Sequence, residues 1–466
     1  MKKITAILLL TAMTLTFFSA CTSEAPQLLE FLDNNTTLDL DGETITILNE
    51  NDVETQIFGY KHSTLEYDEM KARIKSIEDK YDCVIELINI GNNETMREVI
   101  MANTSASGST YDSDIFVAGG NNILRNLAYG NALLPLTDVR DYIDYTNSEK
   151  FGSAGFLEAA MVDGIPYAVK PSYWLGYNNS AAFYVTYNID MLKRAAMTDF
   201  HEYYENETWT WETYENIFKE YTPDEGSFTF ATSPFHEVYI TMLSNGVQIY
   251  GYIDGEFKCD FNEPKTMTAI DWYLNFYNTY KDEREEPSRW GTGGFTEGNT
   301  LMTLATASEV TRGAIAYSDI EYSIMPYPCG PDIEYGQWAN FTEGISGFAI
   351  SAFSDEPEVS AMIINDLFEP FGIITEYESL EDYYAQNIFL THTDAKIFLD
   401  VGEYCRFRYW GLDGSIGSFL EEFEGGSSST AAQLITRFSS RIESIADKEI
   451  KNNFENYVYD ALYGDK

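Results

Sequence analysis

Basic residues are scarce. The 466-residue chain carries 29 lysines and arginines against 75 aspartates and glutamates, a formal charge of −46. A surface of that sign repels phosphate backbones and anionic headgroups, which excludes nucleic acid and lipid surfaces as partners. It also disfavours a polyanionic solute, although a local basic pocket would override the average. Cysteine is sparse too: Cys21, Cys83, Cys259, Cys329 and Cys405 stand far apart with no C-x-x-C pair. The four histidines, His62, His201, His236 and His392, neither cluster nor show H-E-x-x-H spacing. Zinc-type ligation is therefore not expected, and no cofactor is. No G-x-S-x-G elbow, Walker loop or Cys/His pair points to catalysis. Beyond the first twenty residues, no apolar run approaches the roughly 20 residues a membrane-spanning helix needs.

Those first residues set the compartment. Lys2 and Lys3 precede an apolar stretch from Ile4 to Phe18, which ends in Ser19-Ala20-Cys21. The stretch is short for a span and has the layout of a secretory signal. Small-small-Cys behind an apolar core resembles the lipobox of bacterial lipoproteins, with Phe18 where leucine is usual. The resemblance implies cleavage before Cys21 and a diacylglycerol on its thiol; an ordinary signal peptide with a coincidental cysteine is the alternative. Anchoring by two or more acyl chains is stable where one is marginal. The expectation is an extracytoplasmic protein tethered to the cell membrane by lipid alone, with residues 1–20 as signal and 21–41 as a polar tether. The remaining cysteines could pair as two disulfides outside the cell or stay as buried thiols.

What is abundant is aromatic side chain: 34 tyrosines, 29 phenylalanines and seven tryptophans. With 44% hydrophobic residues the chain has ample material for a core, and its length exceeds what one core usually serves, so two or three domains are expected. Order begins with the alternation of Glu43–Leu48, a strand. Leu65, Met70, Ile74 and Ile77 recur at helical spacing between Thr64 and Lys80, and strands follow at Val84–Ile88 and Asp114–Val117, with a helix between them at Asn93–Ala102. A β-α-β-α-β opening argues for a parallel sheet, whose ligands sit beyond the carboxyl ends of its strands. Glu50, Asn51 and Asn121 occupy such positions. Met161–Val169 reads strand–turn–strand about Asp163-Gly164. Phe183–Asn188 is a strand, Ile189–Ala196 a helix, and Trp211–Tyr221 a helix that Thr210 can cap. Pro264–Tyr280 is a longer aromatic helix with Pro264 in its first turn.

These segments, in order, resemble the extracellular solute-binding proteins of the sugar-binding kind. The resemblance rests on D-G-I-P-Y-A (163–168), F-Y-V-T-Y-N-I-D-M-L-K-R-A (183–195), W-T-W-E-T-Y-E-N-I-F (209–218) and F-T-E-G-N-T-L-M (295–302). It extends to Y-S-I-M-P-Y-P with Gly330-Pro331, and to G-F-A-I-S before the helix Glu356–Phe368. It implies an α/β, two-lobe fold of the type II periplasmic-binding-protein kind, with an interlobe ligand cleft and a helical C-terminal tail. It also implies a monomer that passes a carbohydrate, an oligosaccharide by its aromatic richness, to ABC permease subunits. The first lobe is assigned 42–160 with 337–375, the second 161–330 with 376–466.

Sugar sites pair flat aromatic faces with acid or amide groups that orient hydroxyls. Trp209, Trp211 and Trp272 fall in helical patterns and are assigned to the core. Trp174, Trp290, Trp338 and Trp410 lie in loop-like stretches and are candidates for stacking, with Tyr173 beside Trp174 in the P-S-Y-W run, a ligand platform or a packed surface loop. Glu309 follows the L-M-T-L-A-T strand, where the family presents a second-lobe contact; a solvated helix start is the alternative. The competing reading of the whole chain is a lipid-anchored glycoside-active enzyme with a carboxylate pair, which leaves little sequence signature. A sensor or adhesion module, or a peptide, polyol or glycerophosphodiester ligand, also stays open.

Overall fold

The computed structural model describes residues 38–446, apart from 50–52, 63, 92–94, 96–97, 101–112, 120–123, 125–126, 152–156, 158–159, 163, 172–173, 175–182, 254–255, 287–290, 339, 343–345, 404 and 408–414. In chain order the first strands are β1 (Glu43–Asn49), β2 (Cys83–Asn89), β3 (Ile115–Gly119) and β4 (Ala168–Val169), with helix α1 (Leu65–Tyr81) between β1 and β2. Next come β5 (Phe183–Asn188), α2 (Ile189–Arg194), α3 (Phe200–Glu205), α4 (Trp211–Glu220), β6 (Phe228–Ala231), α5 (Pro234–Ser244) and α6 (Pro264–Tyr280). Then follow β7 (Arg284–Glu285), β8 (Thr300–Thr306), α7 (Ala307–Arg312), β9 (Tyr322–Met325), β10 (Asn340–Thr342), β11 (Ser346–Ile350) and α8 (Pro357–Leu367). The tail contributes α9 (Leu380–Asn387), α10 (His392–Glu403), β12 (Cys405–Phe407), α11 (Ser415–Glu421) and α12 (Ala431–Ile445).

Two five-stranded sheets make two lobes, in the orders β2-β1-β3-β11-β4 and β7-β6-β8-β5-β9. In the first, β1 runs parallel to β2 and β3, while β11 is antiparallel to both β3 and β4. In the second, β6 is parallel to β7 and β8, and β5 is antiparallel to β8 and β9. β5 is buried at every residue, as a central strand covered on both faces should be. The helices start where their caps predict. Thr64 Oγ1 accepts the Tyr67 amide at the head of α1, and Thr210 Oγ1 accepts the Thr213 amide at the head of α4. Trp209 and Trp211 are buried and Trp272 is half-buried; Trp211 and Trp272 stack with centroids 4.4 Å apart. Cys83 and Cys329 are buried free thiols. Among the described residues no helix is long and apolar enough to cross a membrane.

Two stretches sit in the opposite lobe from the one expected. β4 lies within 161–330 yet pairs with β11, Phe348 opposite Val169, in the first sheet. Trp174, just beyond it, packs into that lobe. Its ring stacks on Phe58 (5.3 Å, 26°) and meets the edges of Phe348 and Phe368 at 5.5 and 5.3 Å. It is 0% exposed. Trp174 was expected as a second-lobe stacking platform; it is buried in the first lobe, because Phe58, Phe348 of β11 and Phe368 just after α8 enclose its ring. Conversely, Trp338 and β10 pack on the second lobe. β10 pairs with β12, and Asn340 Nδ2 donates to the Phe183 carbonyl at 2.6 Å. Trp338 is 5% exposed, stacked 5.8 Å from Tyr204 and edge-on to Tyr335.

The tail is tied to the second lobe at Asp394, which is fully buried in α10. Its carboxylate accepts the Ile324 amide (2.9 Å), the Ser323 hydroxyl and the Thr391 hydroxyl (2.7 Å). His201 Nε2 lies 3.3 Å from the same carboxylate. Burial by itself lowers the His201 pKa, but the hydrogen bond and charge of Asp394, helped by Asp199, outweigh it and hold the pKa above the ordinary histidine value. Tyr184 adds a hydrogen bond from its hydroxyl to the Phe398 carbonyl at 3.0 Å and a ring stack on Phe398 at 5.4 Å.

Two outcomes are expected. Trp174→Ala empties a fully packed site and should cost about 3–5 kcal/mol of stability, read as a lowered urea midpoint, with solute affinity per folded molecule unchanged; a stable variant that binds weakly would return Trp174 to the ligand. A histidine pKa raised in the folded state stabilises fully below its unfolded value, about 6.5, and that stabilisation is lost as pH rises through the folded value. The melting temperature of the wild type should therefore fall over that window relative to His201→Gln, in which this component is absent. Parallel pH profiles of the two proteins would refute the clamp.

Candidate functional site

The geometry of the two sheets fixes where a ligand can sit. Ser346, the first residue of β11, lies opposite Gly119, the last of β3. Phe183, the first of β5, lies opposite Thr306, the last of β8. The chain therefore leaves each lobe for the other at the carboxyl-end edge of its parallel strands, where α/β sheets open a crevice. The segments that continue β1 and β8 meet there. From β1, residues 53–62 lead to the start of α1; from β8, α7 leads to Ala316 and Tyr317. Between them lies a recess of about 230 Å³, lined by Tyr60, Lys61 and Glu66 of the first lobe, Arg312 and Tyr317 of the second, and Asn387 of the tail.

The approach of the lobes is close. Gly59 has φ +84°, and a Cβ at that position would fall 2.6 Å from Arg312 Nη1. A side chain there would be strained by the backbone and would push the guanidinium away, so glycine is what lets Arg312 lie on the first lobe. Lys61 Nζ sits 4.8 Å over the centre of the Tyr317 ring, a cation–π contact across the same gap. Tyr317 is 59% exposed and offers ring surface to solvent. Glu66 is held from the tail by the Tyr383 hydroxyl, which donates to Oε1 at 3.0 Å. Burial, then the Glu66 charge, pushes the Tyr383 pKa far up, so the phenol stays a donor.

The sequence candidates fall into two groups. Glu50, Asn51, Asn121, Tyr173, Trp290 and Trp410, like Cys21, lie outside the described residues. Of the others, Trp174 lies behind the recess, its ring 6.4 Å from that of Tyr60, and Trp338 packs on the second lobe; neither lines the recess. Glu309 closes a capping box at the head of α7: its Oε2 accepts the Thr306 amide at 2.8 Å and the Thr306 hydroxyl at 3.0 Å. Burial raises its pKa against those two bonds. It orders the turn that presents Arg312 and is a half-buried cap of α7, where a solvated helix start was the alternative to a solute contact. Tyr60, Lys61, Glu66, Arg312, Tyr317 and Asn387 went unnoticed in the sequence. The one local signal was Gly59, followed by an aromatic, a base and the α1 cap in F-G-Y-K-H-S-T. Among the described residues no group of three His, Cys, Asp or Glu side chains could hold a metal ion.

Comparison with known proteins agrees with this geometry. No curated protein matches the sequence. The chain superposes on UgpB from Mycobacterium tuberculosis in complex with glycerophosphocholine at a TM-score of 0.58 and 16% identity, over 87% of this chain and 99% of that one. A cyclo/maltodextrin-binding protein complexed with maltotetraose gives a TM-score of 0.58 at 14% identity, over 88% and 98%. An ABC substrate-binding protein from Listeria monocytogenes in complex with cycloalternan gives 0.56 at 15%, over 87% and 99%. At such identities these likenesses establish the two-lobe fold. The sequence model described as bacterial extracellular solute-binding protein matches residues 72–370. That span is well over half of the chain, and the protein belongs to the family of bacterial extracellular solute-binding proteins, the solute-capturing components of ABC-type importers.

Proposed function

We propose that the protein captures a carbohydrate, an oligosaccharide, between its lobes and delivers it to an ABC-type permease while tethered by lipid on Cys21. The observation that carries this reading is the make-up of the recess. Both lobes and the tail contribute to it, and it combines the exposed ring of Tyr317 with groups able to orient hydroxyls (Lys61, Glu66, Asn387). Rings cover the C–H faces of a sugar at low entropy cost, and the polar groups fix its register. At about 230 Å³ the recess is smaller than the roughly 300–1,000 Å³ of a full ligand pocket, so it suits one end of a longer chain. Glu50, Asn51 and Asn121 follow the ends of β1 and β3, and with Tyr173, Trp290 and Trp410 they are proposed to extend the contact surface. The charge of −46 weighs against a polyanionic solute. Two of the structural relatives hold oligosaccharides, which supports the same class; the third holds a glycerophosphodiester.

A melting-curve comparison with maltotetraose, cycloalternan and glycerophosphocholine tests the class. A saccharide present at 100 times its Kd should add about 2.7 kcal/mol and be recovered unchanged by mass spectrometry after long incubation. Stabilisation by glycerophosphocholine alone would replace the carbohydrate reading, and multiple turnovers per molecule would replace transport by glycoside chemistry.

A further inference from the structure

We propose that helix α9 of the tail is a third wall of the solute site, and that the Tyr383–Glu66 hydrogen bond latches the lobes together across it. The proposal rests on the interlobe recess being the solute site. α9 belongs mechanically to the second lobe. Tyr384 and Phe389, at its end, pack on Phe398 of α10 at 5.4 and 5.3 Å. α10 is in turn pinned to β9 through Asp394 and to β5 through Tyr184. The segment just before α9 is fastened to the first lobe instead. Arg73 of α1 donates to the Leu367 and Pro370 carbonyls at 3.2 and 2.6 Å and covers the Phe371 ring, and Glu69 accepts the Gly372 amide at 3.0 Å. The chain thus crosses between lobes at about 373–379, and a bond from Tyr383 back to Glu66 spans the gap.

Glu66 is in the first turn of α1 and lines the recess, as does Asn387 one turn beyond Tyr383. Asn387 is itself fixed, its Nδ2 donating to the Tyr377 hydroxyl and the Tyr383 carbonyl, both at 2.9 Å. The Tyr383 ring is held between Tyr377 (5.3 Å) and Tyr384 (5.7 Å). Its hydroxyl is therefore delivered by a rigid cluster, and little side-chain entropy opposes the bond. Both latch residues lie outside the span 72–370 that matches the family pattern. A latch made by the protein itself raises the closed population before solute arrives, and apparent affinity scales with that population.

The test uses the full mature chain and small-angle scattering without solute. A compact chain of this length has a radius of gyration of roughly 22 Å. Tyr383→Phe keeps the ring packing and loses the donor, and Glu66→Ala loses the acceptor; each should raise the radius by about 1 Å, as for a hinge opening. Glu66→Gln retains an amide oxygen to accept the bond and should stay at the wild-type value, which a purely structural role for the carboxylate would not predict. Where maltotetraose binds the wild type, Tyr383→Phe should weaken it about fivefold, the worth of one hydrogen bond. An unchanged radius in both Tyr383→Phe and Glu66→Ala, with native circular dichroism, overturns the latch. Failure of every saccharide to bind would sink the carbohydrate reading alone, because the scattering result decides the latch without solute.

Discussion

Everything functional in this molecule depends on one strand pairing, the return of β11 to the first sheet. Having built most of the second lobe, the chain comes back and inserts β11 between β3 and β4, with Ala349 opposite both Phe116 and Ala168. A two-residue strand such as β4 has too little ladder to hold itself; β11 holds it, and with it the chain that leads out to β5. The insertion also fixes where the crossings lie. Because β11 is antiparallel to β3, it starts at the carboxyl-end edge, with Ser346 opposite Gly119. The connection from β4 to β5 leaves from the same edge. Hinge bending between two such lobes is the mechanical requirement of a solute clasp.

Much of this was legible in the sequence because local signals agreed with the global fold. Alternation marked β1, the run F-Y-V-T-Y-N marked β5, helical spacing after Thr64 marked α1, and Thr210 marked the start of α4 to the residue. The lobe boundaries were less legible. β4 and β10 are too short to declare a sheet by pattern, and their pairing is decided by partners 180 and 65 residues away in the chain. Trp174 shows the same limit from another side. A tryptophan among Tyr, Asn and Gly looks like a loop residue, yet the ring is enclosed by Phe58, Phe348 and Phe368, three positions no local window joins.

The recess was illegible for the same reason. Lys61, Arg312 and Asn387 are unremarkable in their own stretches, and their significance lies in convergence from both lobes and the tail. Gly59 gave the one hint, since a glycine before an aromatic and a helix cap often marks close backbone approach. Charge tells a parallel story. A strongly acidic chain brings Lys61 and Arg312 to a contact between its lobes, where they meet a ring and a backbone instead of adding to surface repulsion.

The central claim is that the lobes close on a solute, and distance between lobes measures it most directly. Spin labels at Glu86 on β2 and Glu220 at the end of α4, both exposed, report the separation by pulsed electron resonance. With the saccharide that most raises the melting temperature, the distance distribution should shift to shorter values and narrow, saturating at the same concentration as binding. Saturable binding with an unmoved distribution would contradict the account, and would make the two-lobe architecture a rigid platform.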